Sequence, residues 1–330
     1  MKILCVLNPE SGGGTTLQRW PHIAALLDSF KVEYQLLAEK NVPVGAQAVA
    51  ALENADDGEY DVMVGIGGDG THSSIINAIM RYKKADPSRK IPPYSIIPMG
   101  TGNDISKSIG LDSRADFFTD DLRRAVATAI YGADYMMDVG VFNEKYFLDA
   151  LTIGIDSRIL REHNKQAVRI KRFPMIRRVM RGYFLYFLCV GPRFWRHRLL
   201  NADIIVDGKL WYSGPVINLI VNNTRVYGGT FVFSRDTYAN DGLLDVVVFT
   251  DRRDYLMKCL LALRTNPSHI RKLSERSNAA LCHIQARSLQ IRLSRSEAAQ
   301  IDGEVINAGD SFDISVLAGA IHMKTPVEPE

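Results

Sequence analysis

Three short stretches near the start of the chain combine glycine with hydroxyl and amide side chains: Asn8-Pro9-Glu10-Ser11-Gly12-Gly13-Gly14, Gly67-Gly68-Asp69-Gly70-Thr71 and Pro98-Met99-Gly100-Thr101-Gly102-Asn103-Asp104. Glycine lets a backbone approach a ligand without a Cβ in the way, and hydroxyls beside it add donors, which is what a polyphosphate needs. Asp69 stands in the middle of the second stretch. A lone acid repels phosphate, so its presence points to a bridging Mg²⁺, a hard cation that prefers oxygen ligands. A plainer reading stays open for each stretch: Asp69 bonding backbone amides in a tight turn, Asn8-Pro9 starting a turn, Thr101 or Asn103 capping a helix. Neither a GxxxxGK[ST] phosphate loop nor a GxGxxG opening the first helix is present, so any triphosphate is held without a Walker lysine. Further along, Asp302 and Glu304 flank one glycine, and two nearby acids can raise one pKa and supply a base.

The elements around these stretches follow a repeating order. Lys2 to Leu7 reads as a strand, Thr15 to Ser29 as a helix, Val32 to Leu37 as a strand and Val44 to Asn54 as a helix. Asp61 to Ile66 is a third strand, His72 to Met80 has apolar residues at helical spacing, and Tyr94 to Ile97 is a fourth strand before a helix over Ile105 to Ile109. Alternating strand and helix predicts a doubly wound parallel sheet, with ligands at the carboxyl ends of its strands, where all three glycine stretches fall. From Asp134 the pattern changes to short strands with turn dipeptides, predicting a mostly-β sandwich. The expected division is 1–133 as an α/β nucleotide domain, rejoined by a returning segment over 315–330, and 134–314 as a β-rich substrate domain. Asp-Gly at 207, 241 and 302 signals hairpin turns. Arg252 to Arg264 reads as an amphipathic helix.

At 330 residues the chain exceeds one ordinary core, and 46% hydrophobic with 23% charged residues describes a globular protein. Cys5, Cys189, Cys259 and Cys282 are too far apart for a CxxC pair and sit among apolar neighbours, so reduced core thiols of an intracellular protein are expected. The opening apolar run ends at Asn8-Pro9, too short for a signal peptide, and Tyr183 to Val190 falls far below the ~18 residues a membrane span needs. The net charge of +3 is uneven, because residues 157–198 carry twelve Lys or Arg against Glu162 alone. That segment implies an anionic partner, or a solvated helical face. No helix-turn-helix, zinc-ligand or RNP pattern accompanies it, which excludes nucleic acid as the expected partner.

Asn8-Pro9-x-Ser11-Gly12, the GGDGT stretch and Pro98-x-Gly100-Thr101-x-Asn103-Asp104 together resemble the catalytic domain of the diacylglycerol kinases and their sphingosine, ceramide and bacterial lipid kinase relatives. GGDGT is shared with NAD kinases; the third stretch is more particular to the lipid kinases. The resemblance resumes at Asn240-Asp241-Gly242-x-Leu244-Asp245 and at Gln300-Ile301-Asp302-Gly303-Glu304. It implies an ATP-dependent kinase acting on a lipid hydroxyl, with Asn8, Ser11, Gly67, Gly68, Gly70, Thr71, Gly100, Thr101 and Asn103 holding ATP. Asp69 would act through Mg²⁺ and nucleotide or towards the acceptor. Glu304, with Asp302 beside it, would be the base, and Asp241 and Asp245 resemble an acidic pair that helps hold a structural magnesium in some bacterial members. Asp149 departs from the pattern, standing where many relatives carry Asn.

The resulting expectation is a cytoplasmic lipid kinase, most simply one converting diacylglycerol to phosphatidate, peripheral at a membrane surface through the basic and aromatic segment 157–198. A homodimer is compatible with it. An NAD-kinase-like enzyme and a non-catalytic lipid-binding protein are the alternatives. The first would need neither the third glycine stretch nor the basic segment, and the second is opposed by the acids at 69, 302 and 304.

Overall fold

The computed structural model describes residues 1–100, 102–111, 119–170, 198–234, 236–262 and 282–326. Its first part is a parallel sheet in which β1 (Lys2–Leu7) lies between β2 (Glu33–Leu37) and β3 (Val62–Gly67), with β4 (Tyr94–Pro98) beyond β3. β3 and β4 are buried at every position and β1 at all but its first, which is why they read as unbroken apolar runs; edge strand β2 keeps its charged end exposed. A single turn α1 (Ser11–Gly14) and helices α2 (Thr16–Ser29), α3 (Val44–Asn54), α4 (Asp69–Ala85), α5 (Asp104–Ser108) and α6 (Thr119–Tyr131) connect and cover the strands. Along α4, His72, Ile75, Ile76, Ile79 and Met80 recur every three or four residues and are all buried.

The second part is antiparallel. β5 (Ala133–Phe142) and β6 (Lys145–Phe147) form a hairpin, β7 (Ala150–Gly154) leads into α7 (Ile155–Ile170), and β8 (Leu200–Val206) pairs with β9 (Lys209–Val216). β10 (Asn218–Asn222), β11 (Leu244–Phe249), helix α8 (Arg252–Leu261), β12 (His283–Ala286), β13 (Ser288–Ile301) and β14 (Glu304–Thr325) complete it. Asp207-Gly208 turns β8 into β9 and Asp302-Gly303 turns β13 into β14, each with positive φ at both residues, as a two-residue hairpin of this hand requires. Asp241-Gly242 leads into β11 without joining two paired strands.

The two parts share one hydrogen-bonded path. β14 pairs with β13 and β5 and then reaches β4, where Met323 lies opposite Tyr94. Each part keeps its own apolar cluster, one around β1, β3 and α4, the other between the strands of the sandwich. The two parts also meet on α4, where the Asn77 amide donates to the Tyr146 carbonyl at 2.8 Å and accepts its N–H at 3.0 Å.

Most of the basic segment expected to meet a membrane, 171–197, lies outside the described residues, as does the stretch after α8. Among the described residues no helix is long and apolar enough to cross a membrane.

Candidate active site

The three glycine stretches converge at the start of α4. The Gly68 N–H donates to Ser11 Oγ at 3.1 Å, and the Asn8 amide donates to Thr71 Oγ1 at 3.0 Å, tying the first bend to the second. Met99 N–H donates to the Gly67 carbonyl at 2.6 Å, and the third bend closes on itself through Asn103, whose amide accepts from Gly100 N–H at 2.9 Å and donates to the Gly100 carbonyl at 3.0 Å. Asn103 adopts φ 54°, a conformation Asn tolerates better than most residues. A Cβ on Gly100 would stand 2.6 Å from the Cα of Gly68, so bare backbone meets bare backbone there. Thr101 lies outside the described residues. The N-terminus of α4 has no side-chain cap, and an uncapped helix start of this kind is an anion site.

Two acids face the same point. Asp69 Oδ1 accepts the Ile105 N–H at 3.3 Å, and a Cβ on Gly102 would lie 3.1 Å from Asp69 Oδ2 and 3.8 Å from Asp104 Oδ1. The oxygens thus converge on the room left by Gly102. Asp104 is anchored from the β-rich part, accepting Gly229 N–H at 2.6 Å, and Lys107 Nζ donates to the Gly229 carbonyl at 3.0 Å. Burial and then the neighbouring Asp69 push the Asp104 carboxyl up to about 7. Asp149 is buried close by and takes a short hydrogen bond from the Thr224 hydroxyl; burial, followed by Asp104 and Asp302, raises its pKa well above the ordinary range. Asp104 belongs to the third glycine stretch, yet nothing in its spacing marks it as a partner of Asp69, which chain folding alone brings beside it.

Asp302 and Glu304, the expected acid pair, have different surroundings. Asp302 is buried and accepts the N–H groups of Leu148, Asp149 and Ala150 at 3.0, 2.9 and 3.2 Å, as well as a hydrogen bond from Ser73. Burial raises it to about 6 against the pull of those donors, and Glu304 is not among the causes. Its task here is to pin the β6–β7 turn and Asp149 against α4. Exposed Glu304 instead lines a cavity of about 650 Å³ along α4, with Ala46, Val49, Ser73, Asn77 and Arg81. Replacing Asp302 by Ala strands three buried N–H groups, and about 4 kcal/mol of stability should go with it, read as a fall of roughly 10 °C in the melting temperature.

At the expected Asp241 and Asp245 metal pair, Asp245 Oδ2 is buried without a hydrogen-bond partner among the described residues. Buried Asp245 meets His283 Nε2 at 2.6 Å, while half-exposed Asp241 accepts the Leu243 N–H at 2.9 Å. Nearby Asp138 commits both oxygens, to Gly242 N–H at 2.6 Å and Gly319 N–H at 2.7 Å. Among the described residues no group of three His, Cys, Asp or Glu could hold a metal ion. At the Asp69 and Asp104 point two carboxylates suffice, because Mg²⁺ commonly takes one or two and completes its shell with phosphate oxygens and water.

Behind the site, one turn along α4, His72 Nδ1 meets the Tyr94 hydroxyl at 2.8 Å, in space that exists because residue 65 is glycine. Burial lowers the His72 pKa to about 4. The imidazole is therefore neutral when folded, and its contribution is present above an unfolded pKa of about 6.5 and lost as pH falls from there to about 4, some 3 kcal/mol in all. Urea denaturation across that range should show the loss, and His72→Gln should flatten it.

Comparisons with known proteins identify the family and the fold. Residues 2–135 match the family model described as the diacylglycerol kinase catalytic domain, and residues 149–323 match the YegS C-terminal NAD kinase beta sandwich-like domain. The chain is 24% identical over 307 residues to a diacylglycerol kinase of Bacillus subtilis (strain 168), covering 92% of each chain. It is 25% identical over 332 residues to a probable lipid kinase, YegS-like, of Enterobacter sp. (strain 638), covering 98% of this chain and 95% of that one. In fold it is similar to a crystal structure of a diacylglycerol kinase from Bacillus anthracis str. Sterne, with a TM-score of 0.66 at 20% identity over 98% of this chain and 96% of that one. The NAD kinase of Archaeoglobus fulgidus in complex with ATP shares the fold more distantly, with a TM-score of 0.50 at 12% identity over 100% and 95% of the two chains.

Proposed function

The chain belongs to the diacylglycerol-kinase-like family of lipid kinases, and from that premise we propose that it transfers the γ-phosphoryl group of ATP to the free hydroxyl of diacylglycerol, giving phosphatidate. One observation carries the reading: three glycine bends meet at an uncapped helix start, and beside it two carboxylates face the room left by Gly102.

In this reading the backbone of Gly67, Gly68 and Gly100, with Asn8 and Ser11, grips the triphosphate, and the positive end of α4 opposes its charge. The nucleoside extends into the cavity along α4, which puts Glu304 at the nucleotide rather than at the acceptor. Asp104 is the carboxylate that would hold Mg²⁺, which would supply neutralisation of the phosphoryl oxygens, and this leaves Asp69 for the acceptor. Phosphoryl transfer through a loose transition state asks mainly for position and charge balance. Asp69 orients the acceptor hydroxyl in line with the γ-phosphorus and takes its proton as the new O–P bond forms and the bond to the ADP oxygen breaks. Asp302 and Thr224 fix Asp149, and Gly229 fixes Asp104, so the β-rich part sets the depth of the acceptor side.

The test is transfer of label from γ-labelled ATP to a panel of lipids in mixed micelles. Label in phosphatidate, dependent on diacylglycerol, is the expected result. Label in a sphingoid base or ceramide would move the acceptor class, and label only in NAD would overturn the lipid assignment in favour of the other enzyme that shares this fold.

A further inference from the structure

Helix α8 (Arg252–Leu261) packs Tyr255 and Cys259 inward and still leaves a second apolar stripe outside. Its acid and base, Asp254 and Lys258, face the protein: Lys258 is 5% exposed, and its Nζ donates to Asp254 Oδ2 at 2.8 Å and to the Val248 carbonyl at 2.6 Å. Three of its large apolar residues face outward, with Leu256 54%, Met257 55% and Leu260 61% exposed. A surface helix ordinarily keeps its outward side polar. Positions 253, 256, 257 and 260 recur at three- and four-residue spacing, so exposed Arg253 lies on the same stripe as the three apolar side chains.

The helix is firmly set. Asp251 caps it by accepting the Arg253 and Asp254 N–H groups at 2.7 and 2.9 Å, and Asp254 accepts the Thr250 N–H at 2.9 Å. The outward stripe is therefore held in place by the fold, not left by a frayed end. Scattered exposed leucines need no explanation, but three large residues on one face, with the charged pair buried behind them, do.

We propose that α8 docks the enzyme on an anionic phospholipid surface, with Leu256, Met257 and Leu260 entering the interface and Arg253 meeting lipid phosphate. Charge selects this occupant. An apolar stripe carrying an outward cation suits a surface that is apolar below and negative above, and a long Arg stem can lie in the first while its guanidinium stays in the second. The purpose of the contact rests on the lipid-kinase reading, since an acceptor with acyl chains stays in the bilayer, but the contact itself is tested without it.

The full chain is sedimented with vesicles of phosphatidylcholine and phosphatidylglycerol. The double variant Leu256→Asp/Leu260→Asp should lower the bound fraction at least tenfold, and Leu256→Ser/Leu260→Ser should lower it less. Arg253→Gln should remove the preference for anionic over pure phosphatidylcholine vesicles. Met257→Trp should give an emission shift to the blue on adding vesicles, and Tyr131→Trp, at an exposed position on α6, should give none. With monomeric dioctanoylglycerol the double variant should turn over like the parent, while with diacylglycerol in vesicles it should fall in step with binding. Equal vesicle binding by parent and double variant would overturn the proposal. So would a parent dimer, seen by sedimentation velocity, that the double variant dissociates, because a second copy would then be the occupant. Vesicle binding as expected with no transfer to dioctanoylglycerol by the parent would leave the docking standing and remove the kinase substrate reading instead.

Discussion

Asp69→Asn is expected to lower turnover roughly a thousandfold, the range spanned by loss of a positioned acid or base, while nucleotide binding changes only a few-fold. The substitution keeps shape and removes charge. Asp69 is only partly buried and, among the described residues, takes one long hydrogen bond, from the Ile105 N–H at 3.3 Å, so the fold should survive it. Label transfer to dioctanoylglycerol gives kcat, and calorimetric titration with ADP reports binding separately. Glu304→Gln supplies the contrast. Because Glu304 lines the cavity along α4, its loss should raise the KM for ATP more than it lowers kcat. A kcat for Asp69→Asn within tenfold of the parent, or a larger kcat loss for Glu304→Gln, would reverse the roles given to these two acids.

Gly100→Ala should have the second largest effect, and for a purely steric reason. The added Cβ would stand 2.6 Å from Gly68 Cα and 2.6 Å from Asn103 Oδ1, both closer than real Cβ atoms come. One neighbour is backbone and the other is the amide that closes the third bend, so neither can give way cheaply. The bends must part, and the nucleotide loses a cradle built from both. ATP affinity should fall at least tenfold and kcat about a hundredfold, since small displacements of positioning groups carry rate losses of that order. Gly70→Ala is the control within the same GGDGT stretch. No atom lies within 4 Å of its Cβ position, so its melting temperature should match the parent's. A Gly100→Ala protein that binds ATP normally would show that the third bend is not part of the cradle.

Much of this was legible before any coordinates. Unbroken apolar runs marked β1, β3 and β4, and the Asp-Gly dipeptides at 207 and 302 marked hairpins that the structure contains. Those signals survive without context because they depend on neighbours in the chain: strand burial writes itself as composition, and positive φ at two successive residues demands particular side chains. Asp302 and Glu304 show where such local signals stop. Proximity in sequence suggested a shared task, whereas the hairpin sends one into three backbone N–H groups and the other into a separate cavity. Helix α8 reads as amphipathic and does pack Tyr255 and Cys259 inward, but only packing shows that Lys258 is inside with them and that Leu256, Met257 and Leu260 are outside.

The residues alone settled the parallel sheet, the bends at its carboxyl edge and the kinase family, because local backbone geometry and motif spacing are properties of a linear string. Which acids stand together was decided in space. Asp69 and Asp104 lie thirty-five positions apart, Gly229 and Asp302 far beyond either, and they meet because β14 stitches the two parts into one sheet while α4 takes bonds from both. Burial, which sets the pKa of Asp104 and neutralises His72, likewise has no counterpart in sequence, since the solvent a side chain loses depends on everything folded over it.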